Sequence, residues 1–126
     1  MAGNVGQPPS HATATYALDG GLLREFVLVP AQGKMTSPYT LQIAITYDAK
    51  RHRFAQTGLG NDGEWWVSYA KPWSGTTESW IDHATANNKP GHSENVRESS
   101  NHFSFMSWDA PTGGKVNFKG SCTRST

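Results

Sequence analysis

Polar and apolar residues alternate most cleanly between Tyr39 and Tyr47. Tyr39, Leu41, Ile43, Ile45 and Tyr47 share one parity, and Thr40, Gln42, Ala44 and Thr46 share the other. A period of two held over this stretch predicts a half-buried strand, since no helix gathers those positions on one side. Shorter runs of the same kind flank it. Residues 12–18 alternate small or apolar with polar side chains and stop at Asp19–Gly20–Gly21. Asp-Gly between two β-like runs predicts a hairpin closed by a type I′ turn, whose two central positions both need positive φ. Leu22 to Val29 follows and ends at Pro30. Asp48–Ala49–Lys50–Arg51 turns the chain into a strand over 52–59, and Gly60–Asn61–Asp62–Gly63 turns it into another over 64–71. After Pro72–Trp73–Ser74–Gly75 the pattern resumes over 76–82. His83 to His92 predicts the longest connection, because Asn87, Asn88, Pro90 and Gly91 resist regular structure. Strands over 93–99, 102–108 and 115–124 complete the chain, the last two separated by the turn from Asp109 to Gly114.

No apolar pattern of helical period persists, so the expected fold class is all-β: an antiparallel up-and-down meander of about eight strands. Such a sheet hides its edges most simply by curling into a barrel or half-barrel. At this strand number the interior is either filled by side chains or holds one small ligand.

The 126 residues amount to one domain, with residues 1–10 read as a flexible, polar lead-in and 11–126 as a single barrel domain. Eleven Lys and Arg against ten Asp and Glu leave a formal net charge of +1. That balance gives no long-range field for nucleic acid or an anionic membrane, so neither is an expected partner. The one cysteine, Cys122, excludes an internal disulfide framework and a cysteine-rich zinc site. No apolar run approaches the roughly 20 residues of a membrane-spanning helix. A cytoplasmic location is expected, although a removed export signal is compatible with the same residues.

The stretch from Asp48 to Asp82 has a particular layout: Tyr47-Asp48, Lys50-Arg51, Phe54, Thr57, Gly60–Asn61–Asp62–Gly63, Trp73, Gly75 and Trp80. With Asp19–Gly20–Gly21–Leu22–Leu23–Arg24 upstream, and Arg97-Glu98 and Gly120–Ser121–Cys122–Thr123–Arg124 downstream, the chain resembles the lipocalin-like proteins of the DUF1579 type. The resemblance runs from about His11 to Arg124. It implies a small calycin-like barrel or half-barrel with an internal cavity. The opening strand of that group, with its Gly-x-Trp motif, is absent before His11. A barrel short of one strand has an unpaired edge, and a homodimer formed across that edge is the simplest repair.

Five tryptophans (Trp65, Trp66, Trp73, Trp80 and Trp108), with several Tyr and Phe, supply more aromatic mass than a small core requires. Trp65 and Trp66 must face opposite sides of their strand. The inward candidates are Tyr39, Leu41, Ile43, Ile45 and Tyr47, with Phe54, Trp66, Trp80, Phe103 and Phe105 as additions. Arg97 is the candidate polar anchor for a ligand carboxylate, against the alternative of an outward guanidinium paired with Glu98, Glu94 or Glu25. Arg24 becomes a buried cation if Phe26 and Leu28 point inward.

Histidine positions nominate little. His52 lies between Arg51 and Arg53, His83 and His92 bracket the long connection, and His102 shares a face with Ser104, Met106 and Trp108. No metal or cofactor is expected. Gly-x-Ser-x-Gly is absent, and Gly58 and Gly60 read as turn glycines. Asp48, Asp62, Glu64, Glu78 and Asp82 are scattered in the manner of a solvated rim. The expected function is therefore non-catalytic binding of a small apolar or aromatic molecule in a barrel cavity. Two rivals use the same residues: a small isomerase or hydrolase acting through His102 or Arg97, and an oligomerisation module with a filled barrel.

Overall fold

The computed structural model describes residues 11–72 and 74–124; the lead-in of residues 1–10 and Trp73 lie outside them. The described chain is all-β, with nine strands: β1 (Thr13–Asp19), β2 (Leu22–Val29), β3 (Tyr39–Asp48), β4 (Arg53–Gly60), β5 (Trp65–Ala70), β6 (Thr77–Thr85), β7 (His92–Arg97), β8 (His102–Trp108) and β9 (Val116–Thr123). They form one sheet in sequence order, each antiparallel to the next. No described helix is long and apolar enough to cross a membrane.

Turn chemistry sets the register. In the first hairpin Asp19 faces Leu22, and of the two central glycines only Gly20 has positive φ, at 63°. The turn is thus of type II′ rather than the expected I′, a geometry that needs glycine at the first central position only. At the β3–β4 turn, the Asp48 carboxylate accepts the backbone N–H groups of Lys50 and Arg51 at 3.0 and 3.1 Å and pairs the Arg51 guanidinium at 2.9 Å. The Arg51 backbone hydrogen bond, foremost, holds the Asp48 carboxyl below its usual range.

The connection expected over 83–92 is shorter than that. Strand β6 continues to Thr85 through a register shift opposite Val67/Ser68, and β7 begins at His92. A bulge absorbs one residue without ending the ladder, which a strict two-residue period does not anticipate.

Directly opposed residues of an antiparallel pair share a face, so the register sorts every strand. One face carries Val27, Leu41 and Gly60; Glu25, Ile43, Gly58 and Trp66; Leu23, Ile45, Gln56, Ser68 and Asp82; and Ala70, Trp80, Ser93 and Ser107, each set running across the sheet. Val27, Ser68, Ala70 and Trp80 on this face are buried, so it is the inner one. The outer face carries Arg24, Phe26, Gln42, Leu59 and Trp65, all exposed. Arg24 is therefore not a buried cation: Phe26, whose face it shares, points outward.

The sheet curls about its inner face, where the buried side chains lie. It does not close. No Cα of β1 lies within 8 Å of one in β9, whereas paired strands bring opposed Cα atoms to about 4.5–5.5 Å. The molecule is a half-barrel.

Candidate functional site

All eleven residues nominated from the sequence fall on the inner face: Tyr39, Leu41, Ile43, Ile45 and Tyr47 on β3, Phe54 on β4, Trp66 on β5, Trp80 on β6, Arg97 on β7, and Phe103 and Phe105 on β8. Their surroundings divide them into two groups.

The first is gathered around the buried Trp80. Trp80 is 2% exposed, beside Ala70, and its indole N–H donates to the Glu78 carboxylate. The same Glu78 oxygen lies 3.5 Å from the Asn95 amide nitrogen. Nearby, the Ser68 hydroxyl donates to Asp82 at 2.6 Å, and the other Asp82 oxygen accepts the Gly91 N–H at 2.9 Å. Among the described residues no buried side-chain nitrogen or oxygen lacks a partner. Phe105 stacks on Phe118 with ring centroids 5.3 Å apart and touches Phe103 at 6.3 Å. The Trp66 ring occupies the space a Cβ on Gly58 would need, 2.3 Å from the ring. Gly58 is consequently not a turn residue: it lies within β4, and its missing side chain is the seat of an indole.

The second group is open. Tyr47 and Phe54, directly opposed at the end of β3 and β4, meet edge-to-face at 5.3 Å and remain 51% and 40% exposed. Tyr16 and Leu18 on β1 share this face and are 52% and 82% exposed. With Leu23 and Ile45 between them, these side chains make a continuous apolar surface at the end of the sheet that bears the 19–22 and 48–53 turns. Glu25 adds the polar element, accepting the Tyr16 hydroxyl at 3.3 Å. Burial pushes the Glu25 carboxyl above its ordinary range, the Tyr16 hydrogen bond opposes that, and Glu78 raises it further. Burial also raises the Tyr16 phenol and the Cys122 thiol.

Sequence reasoning missed Glu25, Glu78 and Asn95 as inner-face residues. Glu78 and Asp82 do not belong to a solvated rim, because each carboxylate is held by donors from the barrel wall. Arg97 occupies the exposed end of β7 and, among the described residues, none of its expected carboxylate partners forms an ion pair with it. Outward pairing with Glu94 is excluded by pleat, since the two lie on opposite faces.

The histidines are dispersed. His92 stacks flat on Trp108 at 4.4 Å, with Nδ1 2.6 Å from the Ala110 carbonyl, while His83 meets the Tyr69 ring edge-on. His102 lies on the outer face between Thr123, 2.8 Å from Nδ1, and Glu98, 3.5 Å from Nε2. The sheet thus separates His102 from Arg97. No group of three or more His, Cys, Asp or Glu suited to a metal ion occurs among the described residues.

Two open hollows lie mainly on the outer face. One of about 560 Å³ is bordered by Arg24, Phe26, Gln42, Ala44, Thr57 and Leu59, and also reaches Tyr16, Glu25 and Ile43. The other, of about 480 Å³, is bordered by Glu94, Met106, Trp108 and Lys119, and reaches Phe105. Neither gathers the nominated residues. Comparisons of the chain with protein-family models, with curated proteins and with solved structures find no match.

Proposed function

We propose that the half-barrel binds a small, flat, apolar or aromatic molecule on the open part of its inner face, without chemistry. The observation that carries this reading is the Tyr47–Phe54 pair. Two rings are held in a fixed edge-to-face arrangement on the face that elsewhere forms the core, and each leaves 40% or more of its surface to solvent. A planar guest laid across them removes apolar area from water at little conformational cost to the protein. The Glu25 carboxyl on β2 and the Tyr16 hydroxyl on β1 offer a hydrogen-bonding end to an otherwise apolar surface.

The test is titration with an uncharged naphthalene-type fluorophore, followed by dye emission. Replacing Tyr47 or Phe54 by Ser is expected to weaken binding about tenfold each, the value of roughly half a buried aromatic side chain. The far-ultraviolet dichroism should not change, since neither ring seals the core. Equal affinity in the Tyr47→Ser/Phe54→Ser double variant would overturn the proposal, as would no dye binding by the parent chain.

A further inference from the structure

The two edge strands of the sheet differ in a way that assigns one of them a partner. Strand β9 has the usual protections of a free edge: an exposed lysine (Lys119), a glycine (Gly120) and a register shift opposite Ser107/Trp108. Strand β1, Thr-Ala-Thr-Tyr-Ala-Leu-Asp, has none of them. It contains no Lys, Arg, Pro or Gly, its register against β2 is unbroken, and its one charge, Asp19, stands at its end.

Which backbone groups β1 leaves free follows from its turn. A two-residue hairpin closes on a hydrogen-bonded pair, here Asp19 and Leu22, and such pairs recur at every second residue. Asp19, Ala17, Thr15 and Thr13 therefore spend their N–H and C=O groups on β2. The series continues at His11, whose N–H donates to the Gln32 side-chain oxygen at 3.0 Å and whose C=O accepts from the Gln32 amide at 2.9 Å. The N–H and C=O of Ala14, Tyr16 and Leu18 point the other way. Among the described residues, none of the hydrogen bonds outside the strand ladders involves them.

We infer that β1 pairs antiparallel with β1 of a second copy of this chain, about a two-fold axis at Tyr16. In that register Tyr16 opposes its own counterpart and Leu18 opposes Ala14, all on the inner face, while Thr15 opposes Ala17 on the outer face. Each free donor and acceptor of Ala14, Tyr16 and Leu18 is used. The 82%-exposed Leu18 meets the smallest apolar residue of the strand, and no two like charges face each other, since Asp19 falls opposite Thr13. The pairing is isologous and closes at two chains. It shares Tyr16 and Leu18 with the ligand proposal but rests on the free backbone of the edge, so the oligomeric state tests it apart from dye binding.

Sedimentation velocity of the full chain over a concentration series tests the inference, with a species of twice the 13.7 kDa chain mass expected. Hydrogen exchange should show concentration-dependent protection at the amides of Ala14, Tyr16 and Leu18 only, because those of Thr13, Thr15 and Ala17 are already bonded to β2. A Thr15→Lys/Ala17→Lys chain and a Thr15→Glu/Ala17→Glu chain should each sediment as monomers, and their equimolar mixture should restore the dimer. Both positions are exposed, so unchanged Trp emission checks the fold of each variant. A parent chain that stays monomeric at every concentration overturns the inference. So does a dimer that survives in both charged chains, which would place the interface elsewhere, or a mixture that fails to associate.

Discussion

On the inner face the surroundings of Trp80 are sealed, whereas the end that bears Leu18, Tyr47 and Phe54 is open. Around Trp80, every polar neighbour has a partner inside the wall: Glu78 takes the indole N–H, and Asp82 takes Ser68 and Gly91. On the open part of the inner face, Tyr16 donates to Glu25. The difference teaches that the core is located by polar satisfaction as much as by oiliness. Side chains pack where the carboxylates and amides among them can be paired without water.

The largest perturbation of this contrast is Trp80→Ala. It removes the most buried large side chain and strands Glu78, and should lower unfolding stability by about 3–5 kcal/mol in urea titration. Gly91→Ala follows, at about 1–3 kcal/mol. An added Cβ would sit 2.0 Å from the Trp108 carbonyl oxygen, a backbone atom that cannot step aside as a side chain does. The smallest effect is expected on the open part, from Glu25→Gln. The raised Glu25 pKa means that the folded chain holds this proton more tightly than the unfolded one. Its stabilisation is full below the unfolded carboxyl range and lost as pH rises through the folded value. The Gln variant should flatten that decline, visible as a weaker dependence of the urea midpoint on pH between acid and neutral conditions. An unchanged slope would show that the carboxyl is as well solvated as in the unfolded chain.

The strands were legible before the structure; the division of their inner face into a sealed and an open part was not. The alternation of β3 sorted its residues into two faces and pointed to the apolar one as the inner, where the structure has it. Phe54, Trp66, Trp80, Phe103 and Phe105 lie on that face too, although no strict period assigned them and a single bulge inverts a strand's parity. The interior acids were not legible. A glutamate such as Glu78 reads as surface unless its donors are known, and Trp80 and Asn95 come to it through geometry that no spacing announces. Gly58 was misread as punctuation because a glycine missing its side chain for a neighbour's benefit looks, in one dimension, like a glycine in a turn. The strand beyond Asp82 was hidden by a bulge, which shifts parity midway and makes a continuous ladder look like two fragments.

Strand order has a kinetic side. Because every strand lies next to its sequence neighbour, each new pairing closes only a short loop, and none must wait for the chain's two ends to find each other. Assembly can begin at any well-formed hairpin and spread in both directions, in the manner of a zipper with several starting teeth. A half-barrel that never joins its first strand to its last has dispensed with the slowest step that a closed one must complete.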